Sequence, residues 1–272
     1  MEVKFIKASP TENMTLLIET PVAREKQLAV AERLIAYGSV YAEQAGYIEE
    51  AENPAAEKRL QMMAGEFCGN ASLSLAAWLD PEKNLANGEK TEITLEVSGA
   101  EALVRCEMKR EAEHRFLGRV AMPLPQTIEK RAFTLDGERI ELTAVVFAGI
   151  THILVPASLW GENAAKKAEH AARVWAKELP PVFGLLLFDE KEKSLKPLVA
   201  VGDVSLIWER GCGSGTSAVG AYLAAREKKD VTVSLKQPGG VMHATVSYQN
   251  GAVTKIEITG SVAIVAEGTA YL

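Results

Sequence analysis

The chain has 272 residues, of which 47% are hydrophobic and 24% charged, a composition typical of an ordinary globular protein. Its formal net charge of −6 and its lack of a basic block argue against nucleic acid or an anionic membrane surface as a partner. No apolar run approaches the roughly 20 residues of a membrane span.

The N-terminus and the cysteines indicate a reducing compartment. Residues 1–10 lack the apolar core of a secretory signal, so we expect a cytoplasmic protein whose thiols stay reduced. The three cysteines show no C-x-x-C spacing, which disfavours a disulfide scaffold and a zinc site. We therefore expect no bound metal.

Short strand-like runs dominate the chain, and helical patterns are few. One helix is predicted over 23–37, closed by Gly38, and another over 164–179, closed by a proline pair. Two more helices are predicted directly after Cys68 and Cys212. The clearest strand patterns are at 92–97, 102–107, 116–122, 141–147, 152–155, 184–188, 206–209, 241–248 and 261–271.

Many strands around a few helices predict an α/β (α+β) protein with mixed sheets rather than a doubly wound series. Regular patterning stops at the Met-Pro-Leu-Pro run over 122–125, which we interpret as a domain boundary. We predict one domain over 1–122 plus 262–272, which carries Cys68. The second domain is predicted over 126–261 and carries Cys212.

The chain contains the same short sequence pattern in two places. Cys68-Gly69-Asn70-Ala71-Ser72 opens one small-residue helical run, and Cys212-Gly213-Ser214-Gly215-Thr216 opens another. A glutamate precedes each cysteine, Glu66 in the first case and Glu209 in the second. Because the segments lie about half the chain apart, they predict two pseudo-equivalent domains, each offering a thiol at a helix N-terminus. We expect these thiols to face each other across a cleft.

Two opposed thiols suit racemisation of an amino acid without a cofactor. Inversion of the α-carbon needs a base on one face and an acid on the other, and positioned groups of this kind accelerate proton transfer by roughly 10²–10⁴-fold. Helix N-termini bind a carboxylate and favour a thiolate. Gly69 and Gly213 allow close approach of the backbone to a ligand, and Asn70 and Ser214 can cap the helices.

At these motifs the chain resembles, over its whole length, the diaminopimelate epimerase superfamily of pyridoxal-phosphate-independent racemases. The resemblance implies two domains, each a curled mixed sheet around a central helix, with catalysis by Cys68 and Cys212. It is carried by Asn13, Gln44, Cys68-Gly69-Asn70, His152, Trp208-Glu209-Arg210-Gly211, Cys212-Gly213-Ser214-Gly215 and Pro238-Gly239-Gly240.

The resemblance also implies roles for further residues. His152 and Glu209 are expected to orient a cysteine and take up its proton, although His152 can also be read as a satisfied buried histidine. Glu43 either accepts a hydrogen bond from the substrate side chain or is a solvated carboxylate. The expected substrate-binding residues are Asn13, Glu43, Gln44, Gly69, Asn70, Arg210, Gly213 and Ser214.

Two departures from the superfamily pattern concern the substrate. Ile150 and Val182 stand where diaminopimelate epimerases have asparagines for the charged far end of their substrate. Since an unpaired polar group is costly to bury, the apolar residues disfavour diaminopimelate.

Within the superfamily, the chain most resembles the histidine racemases that begin synthesis of staphylopine-type opine metallophores. That resemblance implies conversion of L-histidine to D-histidine. The residue chemistry alone leaves open diaminopimelate, proline or another amino acid, a non-catalytic binding protein, and a disulfide-linked structural role. It also leaves the oligomeric state open, with a homodimer as one option.

Overall fold

The structure is a computed structural model that describes residues 1–79, 86–201 and 205–272. Strands prevail over helices in these ranges, which confirms the predicted mixed α/β class. The α-helices are α1 (Arg24–Ile35), α2 (Gly69–Leu79), α3 (Ala164–Trp175) and α4 (Gly213–Glu227). The strands are β1 (Glu2–Pro10), β2 (Thr15–Ile18), β3 (Gln44–Glu49), β4 (Lys58–Met62), β5 (Lys90–Val97), β6 (Val104–Ala112), β7 (Arg115–Ala121), β8 (Thr127–Leu135), β9 (Glu138–Val146), β10 (Thr151–Pro156), β11 (Val182–Asp189), β12 (Ser194–Val201), β13 (Ser205–Trp208), β14 (Val231–Gln237), β15 (Gly240–Gln249) and β16 (Ala252–Tyr271).

The chain divides into two compact units. Unit 1 consists of Met1–Ala121 and Thr259–Leu272, and unit 2 consists of Met122–Ile258. The sequence places the corresponding boundaries at 122–126 and 261–262. The long strand β16 contributes its first part to unit 2 and its second part to unit 1.

In unit 1 the strands form a closed ring. The order runs from β1 through β7 to β16, and β16 pairs again with β1 in antiparallel register from Glu2↔Tyr271 to Pro10↔Val262. The β2–β3 and β4–β5 pairs are parallel, whereas β1–β2, β3–β4, β5–β6 and β6–β7 are antiparallel, so the sheet is mixed.

Helix α2 lies inside this ring. It contacts every strand from β1 to β7, and all its residues except Trp78 are buried. A helix that is apolar around its whole circumference is stable only inside a core, which explains the run of Ala, Leu and Ser without any charge. Helix α1 instead packs on β3 through Ala31 and Leu34.

In unit 2 the order is β16, β15, β14, β12, β11, β10, β9 and β8, with β13 added to β12. Helix α4 contacts β15, β14, β10 and β9, and its first three turns are mostly buried. Helix α3 contacts β8, β11 and β12 and places Trp175 in a core with Phe133 and Phe183. None of the helices described is long and apolar enough to cross a membrane.

Several elements differ in extent from the sequence prediction, and helix α3 and strand β16 show the physical reasons. Helix α3 ends at Trp175 rather than 179, because Glu178 and Leu179 both donate to the Trp175 carbonyl and the turn tightens before the proline pair. Strand β16 starts at Ala252 rather than 261, since the Asn250-Gly251 turn, with both residues at positive φ, allows a hairpin with β15.

The close packing of α4 on β15 gives a test of the core. A Cβ at Gly220 would lie 2.8 Å from Ala244 Cβ and 2.9 Å from Val246 Cγ2, and the alanine Cβ can move only if its backbone moves. We expect Gly220→Ala to destabilise the protein by about 1–3 kcal/mol through overpacking, measured as a lower Tm. Gly149→Ala, whose Cβ would meet no atom of the described part of the chain within 4 Å, is the control and should leave Tm nearly unchanged. Equal Tm values for the two variants would contradict this packing.

Candidate active site

Cys212 occupies the cap position of helix α4 in unit 2. Its Sγ accepts a hydrogen bond from the backbone N–H of Gly215 at 3.2 Å, and its carbonyl accepts from Thr216 N at 3.0 Å. The cysteine sulfur therefore takes the capping role that the sequence analysis gave to Ser214. Because Cys212 is only 2% exposed, this N–H has no access to bulk water and the sulfur is its partner.

Gln237 holds the backbone of Cys212 and is a site residue that the sequence analysis missed. Its Oε1 accepts from Cys212 N at 2.8 Å, and its Nε2 donates to Thr216 Oγ1 at 2.7 Å. Gln237 ends β14, directly before the Pro238-Gly239-Gly240 turn. In the sequence, only its position next to that motif could have identified Gln237 as a site residue, because its contact with Cys212 depends on how the chain folds.

Glu209 lies beside the Cys212 thiol. It follows β13, and its backbone N–H donates to the Pro197 carbonyl at 3.0 Å. Burial raises the pKa of the Cys212 thiol well above its ordinary value, and the charge of Glu209 and a hydrogen bond with it raise that pKa further. Cys212 is thus protonated at neutral pH and has a carboxylate beside it that can accept the proton.

His152 reaches Cys212 through Ser214. Its Nε2 lies 2.9 Å from Ser214 Oγ, which in turn lies 3.5 Å from Cys212 Sγ. His152 is fully buried, and burial lowers its pKa from 6.5 to about 3. The ring is therefore neutral at physiological pH and serves as a hydrogen-bonding group.

The other side of the His152 ring is closed by a glycine. The Nδ1 atom is buried and has no hydrogen-bond partner among the residues that the structure describes, and a Cβ at Gly184 would lie 2.4 Å from it. Only glycine at this position of β11 leaves room for the imidazole. A ring without a proton on Nδ1 leaves only a lone pair unsatisfied and carries its proton on Nε2, facing Ser214.

Cys68 stands at the start of helix α2 in unit 1 and repeats the capping contact. Its Sγ accepts from Ala71 N at 3.4 Å, and its carbonyl accepts from Ser72 N at 3.0 Å. Unlike Cys212, it is partly exposed. The backbone leading to it is fixed by Gly99, at φ +70°, where a Cβ would lie 2.4 Å from Phe67 N.

A chain of polar side chains leads from Cys68 into unit 1. The Cys68 thiol donates to Gln44 Oε1 at 3.1 Å, and Gln44 Nε2 donates to Asn13 Oδ1 at 2.7 Å. Asn13 Nδ2 then donates to Glu43 Oε2 at 2.6 Å. The structure thus brings together three residues expected to bind substrate, and one of them, Asn13, is only 2% exposed.

The other residues expected to bind substrate lie near the two helix starts. Gly69 and Asn70 are buried in the first turn of α2, and Gly213 is buried in the first turn of α4. Arg210 is exposed and donates to the Pro238 carbonyl at 3.2 Å. Their contacts with a substrate stay a prediction. Within 1–79, 86–201 and 205–272, no group of three or more His, Cys, Asp or Glu side chains could hold a metal ion.

The fold is that of the proline racemase and PhzF-type proteins. A probable proline racemase from Agrobacterium radiobacter K84 superposes with a TM-score of 0.73 at 15% identity, over 98% of this chain and 92% of its own. A PhzF-family phenazine biosynthesis protein from Bacillus anthracis gives a TM-score of 0.70 at 14% identity, over the full length of both chains.

The sequence comparisons are more specific. The family described as "Histidine racemase CntK N-terminal domain" matches residues 2–271. A histidine racemase of Fusobacterium nucleatum is 32% identical over 98% of this chain and 97% of its own length. A histidine racemase of Staphylococcus aureus is 28% identical over 99% of this chain and 98% of its own length. This chain belongs to the histidine racemase family.

The buried imidazole gives a testable pH dependence. With a folded-state pKa of about 3 against 6.5 when exposed, His152 binds fewer protons in the folded than in the unfolded protein between these values. The free energy of unfolding therefore decreases as pH falls below 6.5, and His152 contributes up to about 1.4 kcal/mol of this decrease per pH unit. We expect His152→Gln to flatten this loss, measured by urea unfolding at several pH values.

The control for this experiment is His170→Gln. His170 is a half-exposed histidine that faces Asp136. The His170→Gln variant should lose unfolding free energy with falling pH at nearly the same rate as the unmodified protein below pH 6.5. If His152→Gln and His170→Gln gave the same slope, the neutral state assigned to His152 would be wrong.

Proposed function

We propose that this protein interconverts L- and D-histidine without a cofactor, with Cys68 and Cys212 as the two acid–base groups. Membership of the histidine racemase family supports the reaction and the substrate. The observation that carries the mechanism is that both cysteines cap a buried helix with their sulfur. Each sulfur thereby has a backbone N–H donor and a second polar partner that can receive its proton or a hydrogen bond from it.

The proposed reaction exchanges one proton for another at the α-carbon. A cysteine thiolate takes the α-proton, and the electron pair of the broken C–H bond delocalises into the substrate carboxylate. The thiol of the other cysteine then gives its proton to the opposite face of the carbon, which forms the new C–H bond. Charge and protons balance, and the two sulfurs end with their protonation states exchanged.

The developing negative charge needs hydrogen-bond donors. The first backbone N–H groups of α2 and α4, among them those of Gly69 and Gly213, have no acceptor within their own helix and suit the substrate carboxylate. Such donors are worth most at the transition state, when the carboxylate carries the electrons of the broken bond. Asn70, Ser214 and Arg210 are proposed to add side-chain donors.

Glu209 is proposed to activate Cys212. The thiol has a raised pKa and a carboxylate as its hydrogen-bond partner, so transfer of the S–H proton to Glu209 yields the thiolate that attacks the α-proton. Ser214, held by His152, offers its hydroxyl hydrogen to that thiolate across 3.5 Å. His152 thus acts through Ser214 as a positioning residue.

The finer fold assignment and the setting of the reaction are proposals as well. We propose that units 1 and 2 are the two pseudo-equivalent domains of a diaminopimelate epimerase-like protein. Each unit has a mixed sheet and a largely buried helix that starts after a cysteine, which supports this relationship. We further propose that the enzyme works in the cytoplasm and supplies D-histidine to the synthesis of an opine metallophore.

Single replacements of the two cysteines test the mechanism. Cys68→Ser and Cys212→Ser should each lower the rate of histidine racemisation by at least about 10²-fold, because a serine hydroxyl is a poor base at neutral pH. The rate is measured by chiral chromatography, together with α-proton exchange in D₂O, which one surviving thiol can still support. Cys106→Ala, in the buried centre of β6, is the control and should keep wild-type kcat/KM once folded. Full racemisation by either serine variant would contradict the two-base mechanism.

The substrate assignment has its own test. A site that hydrogen-bonds a substrate group rejects analogues that lack it by roughly 10⁴-fold, whereas size alone discriminates by only about 10–200-fold. We expect kcat/KM for histidine to exceed that for leucine by the larger factor. Ile150 and Val182 offer no partner for a charged far end, so meso-diaminopimelate should be a poor substrate. Faster turnover of meso-diaminopimelate than of histidine would make the substrate wrong and leave the mechanism standing.

A further inference from the structure

The cap of helix α4 uses an acceptor from outside the helix. In a capping box, the side chain of the third helical residue accepts a hydrogen bond from the backbone N–H of the cap residue. In α4 the cap residue is Cys212 and the third residue is Gly215, which has no side chain. The Cys212 N–H donates instead to Gln237 Oε1 at 2.8 Å, at the end of β14. Gln237 therefore completes the cap from a distant part of the chain.

The sulfur of Cys212 explains why the third helical residue cannot supply this acceptor. The backbone N–H of Gly215 donates to Cys212 Sγ at 3.2 Å. A Cβ at Gly215 would lie only 3.1 Å from that sulfur and 3.0 Å from Leu186 Cδ2. A side chain at position 215 would thus press on the sulfur that caps the helix. The acceptor for the Cys212 N–H consequently comes from another strand.

The hydrogen bonds between Gln237 and Cys212 form a ring with one direction. A backbone N–H can only donate, so Gln237 turns its oxygen to Cys212 and its amide N–H to Thr216 Oγ1, at 2.7 Å. The Thr216 hydroxyl then donates to the Cys212 carbonyl at 2.7 Å. Gln237 is 8% exposed and Thr216 is fully buried, so water competes little for these bonds. The ring holds both the N–H and the carbonyl of Cys212.

The turn after Gln237 is tied to the segment that leads into α4. Gly239 N donates to the Arg210 carbonyl at 2.7 Å, and Arg210 Nη2 donates to the Pro238 carbonyl at 3.2 Å. Gln237 itself belongs to the paired ladder of β14 and β15. The amide that holds Cys212 is therefore carried by a strand end that is fixed on both sides.

On the proposed function, we infer that Gln237, together with Thr216, is a positioning residue that fixes the Cys212 sulfur for proton transfer. The nitrogen and the sulfur of a cysteine are joined through Cα and Cβ alone, so turning the Cys212 peptide moves Sγ away from Gly215 N. Without Gln237 the peptide must turn toward another acceptor, because a buried N–H without a partner is costly. Misplacement of a reacting atom by about 1 Å can slow a reaction about 10²-fold.

Loss of Gln237 should affect one face of the substrate. In the two-base mechanism, the α-proton of one enantiomer goes to Cys212 and that of the other enantiomer goes to Cys68. Displacement of the Cys212 sulfur slows proton exchange from the first enantiomer, while Cys68 keeps its place at the start of α2 in unit 1. A general loss of stability would instead lower both rates by the same factor, since it reduces the amount of folded enzyme.

The experiment measures α-proton exchange of L-histidine and of D-histidine separately, as initial rates in D₂O followed by proton NMR with the full-length protein. Cys212→Ser identifies the enantiomer that depends on Cys212. The test variant is Gln237→Met, which keeps the length of the side chain and removes both ends of the amide. Gln27→Met is the matched control, because Gln27 is 3% exposed and its amide also bonds at both ends, to Glu49 and Arg24 at 2.8 Å each.

We expect Gln237→Met to slow exchange of the Cys212-dependent enantiomer by about 10²-fold and to leave exchange of the other enantiomer nearly unchanged. Gln27→Met should lower Tm without changing the ratio of the two rates. Thr216→Ser keeps the hydroxyl and should retain the wild-type ratio. Thr216→Val removes the hydroxyl and should shift the ratio in the same direction as Gln237→Met, by about three- to tenfold, the effect of one hydrogen bond.

Equal slowing of both enantiomers by Gln237→Met, or an unchanged ratio, would overturn the inference. If that variant does not fold, Thr216→Val provides the test, and an unchanged ratio would again count against the inference. If the wild-type protein exchanges neither enantiomer, the proposed function is refuted, and amide hydrogen exchange tests the hold on Cys212 without turnover. Gln237→Met should then speed deuterium uptake over 211–216 more than Gln27→Met does, and equal uptake would contradict the role of Gln237.

Discussion

A helix that begins inside a protein must find partners for its first backbone N–H groups, and this requirement organises both halves of the molecule. Helices α2 and α4 begin in buried surroundings, where water cannot serve. In each case a cysteine sulfur accepts the N–H three residues ahead. Sulfur is a weak acceptor as a thiol and a strong one as a thiolate, so the same bond that completes the helix favours the reactive form.

The surroundings of the two sulfurs oppose that tendency to different degrees. Cys212 is almost completely buried and stands beside Glu209, and both effects favour its proton. Cys68 is partly exposed and faces the oxygen of Gln44. At each cysteine the helix N–H favours the thiolate, whereas burial and the neighbouring side chains favour the thiol. The balance between them is therefore set separately at the two sites, although the Cys-Gly segments look alike in the sequence.

The sequence predicted well what depends on local pattern. The paired Cys-Gly segments marked the starts of α2 and α4, and alternation of apolar residues placed strands such as β5 and β15 to within a few residues. It could not identify contacts that the fold alone creates. The partner of His152 is Ser214, 62 positions away, and Gln237 reaches Cys212 from the end of strand β14. No local spacing in the sequence predicts either contact, and nothing in the sequence around Gly184 indicates that it packs against the His152 imidazole.

The closure of unit 1 by β16 has a consequence for how the protein is made. Residues 1–121 include α2 but lack the strand that joins β7 to β1, and that strand is synthesised only after all of unit 2. On the ribosome the wall around α2 therefore stays open while unit 2, a continuous segment, can already fold. The pairing of Glu2 with Tyr271 is among the most distant in the chain, and contacts of such separation form slowly. The nascent first half, with its apolar helix uncovered, is the stage of synthesis at which chaperones have most to protect.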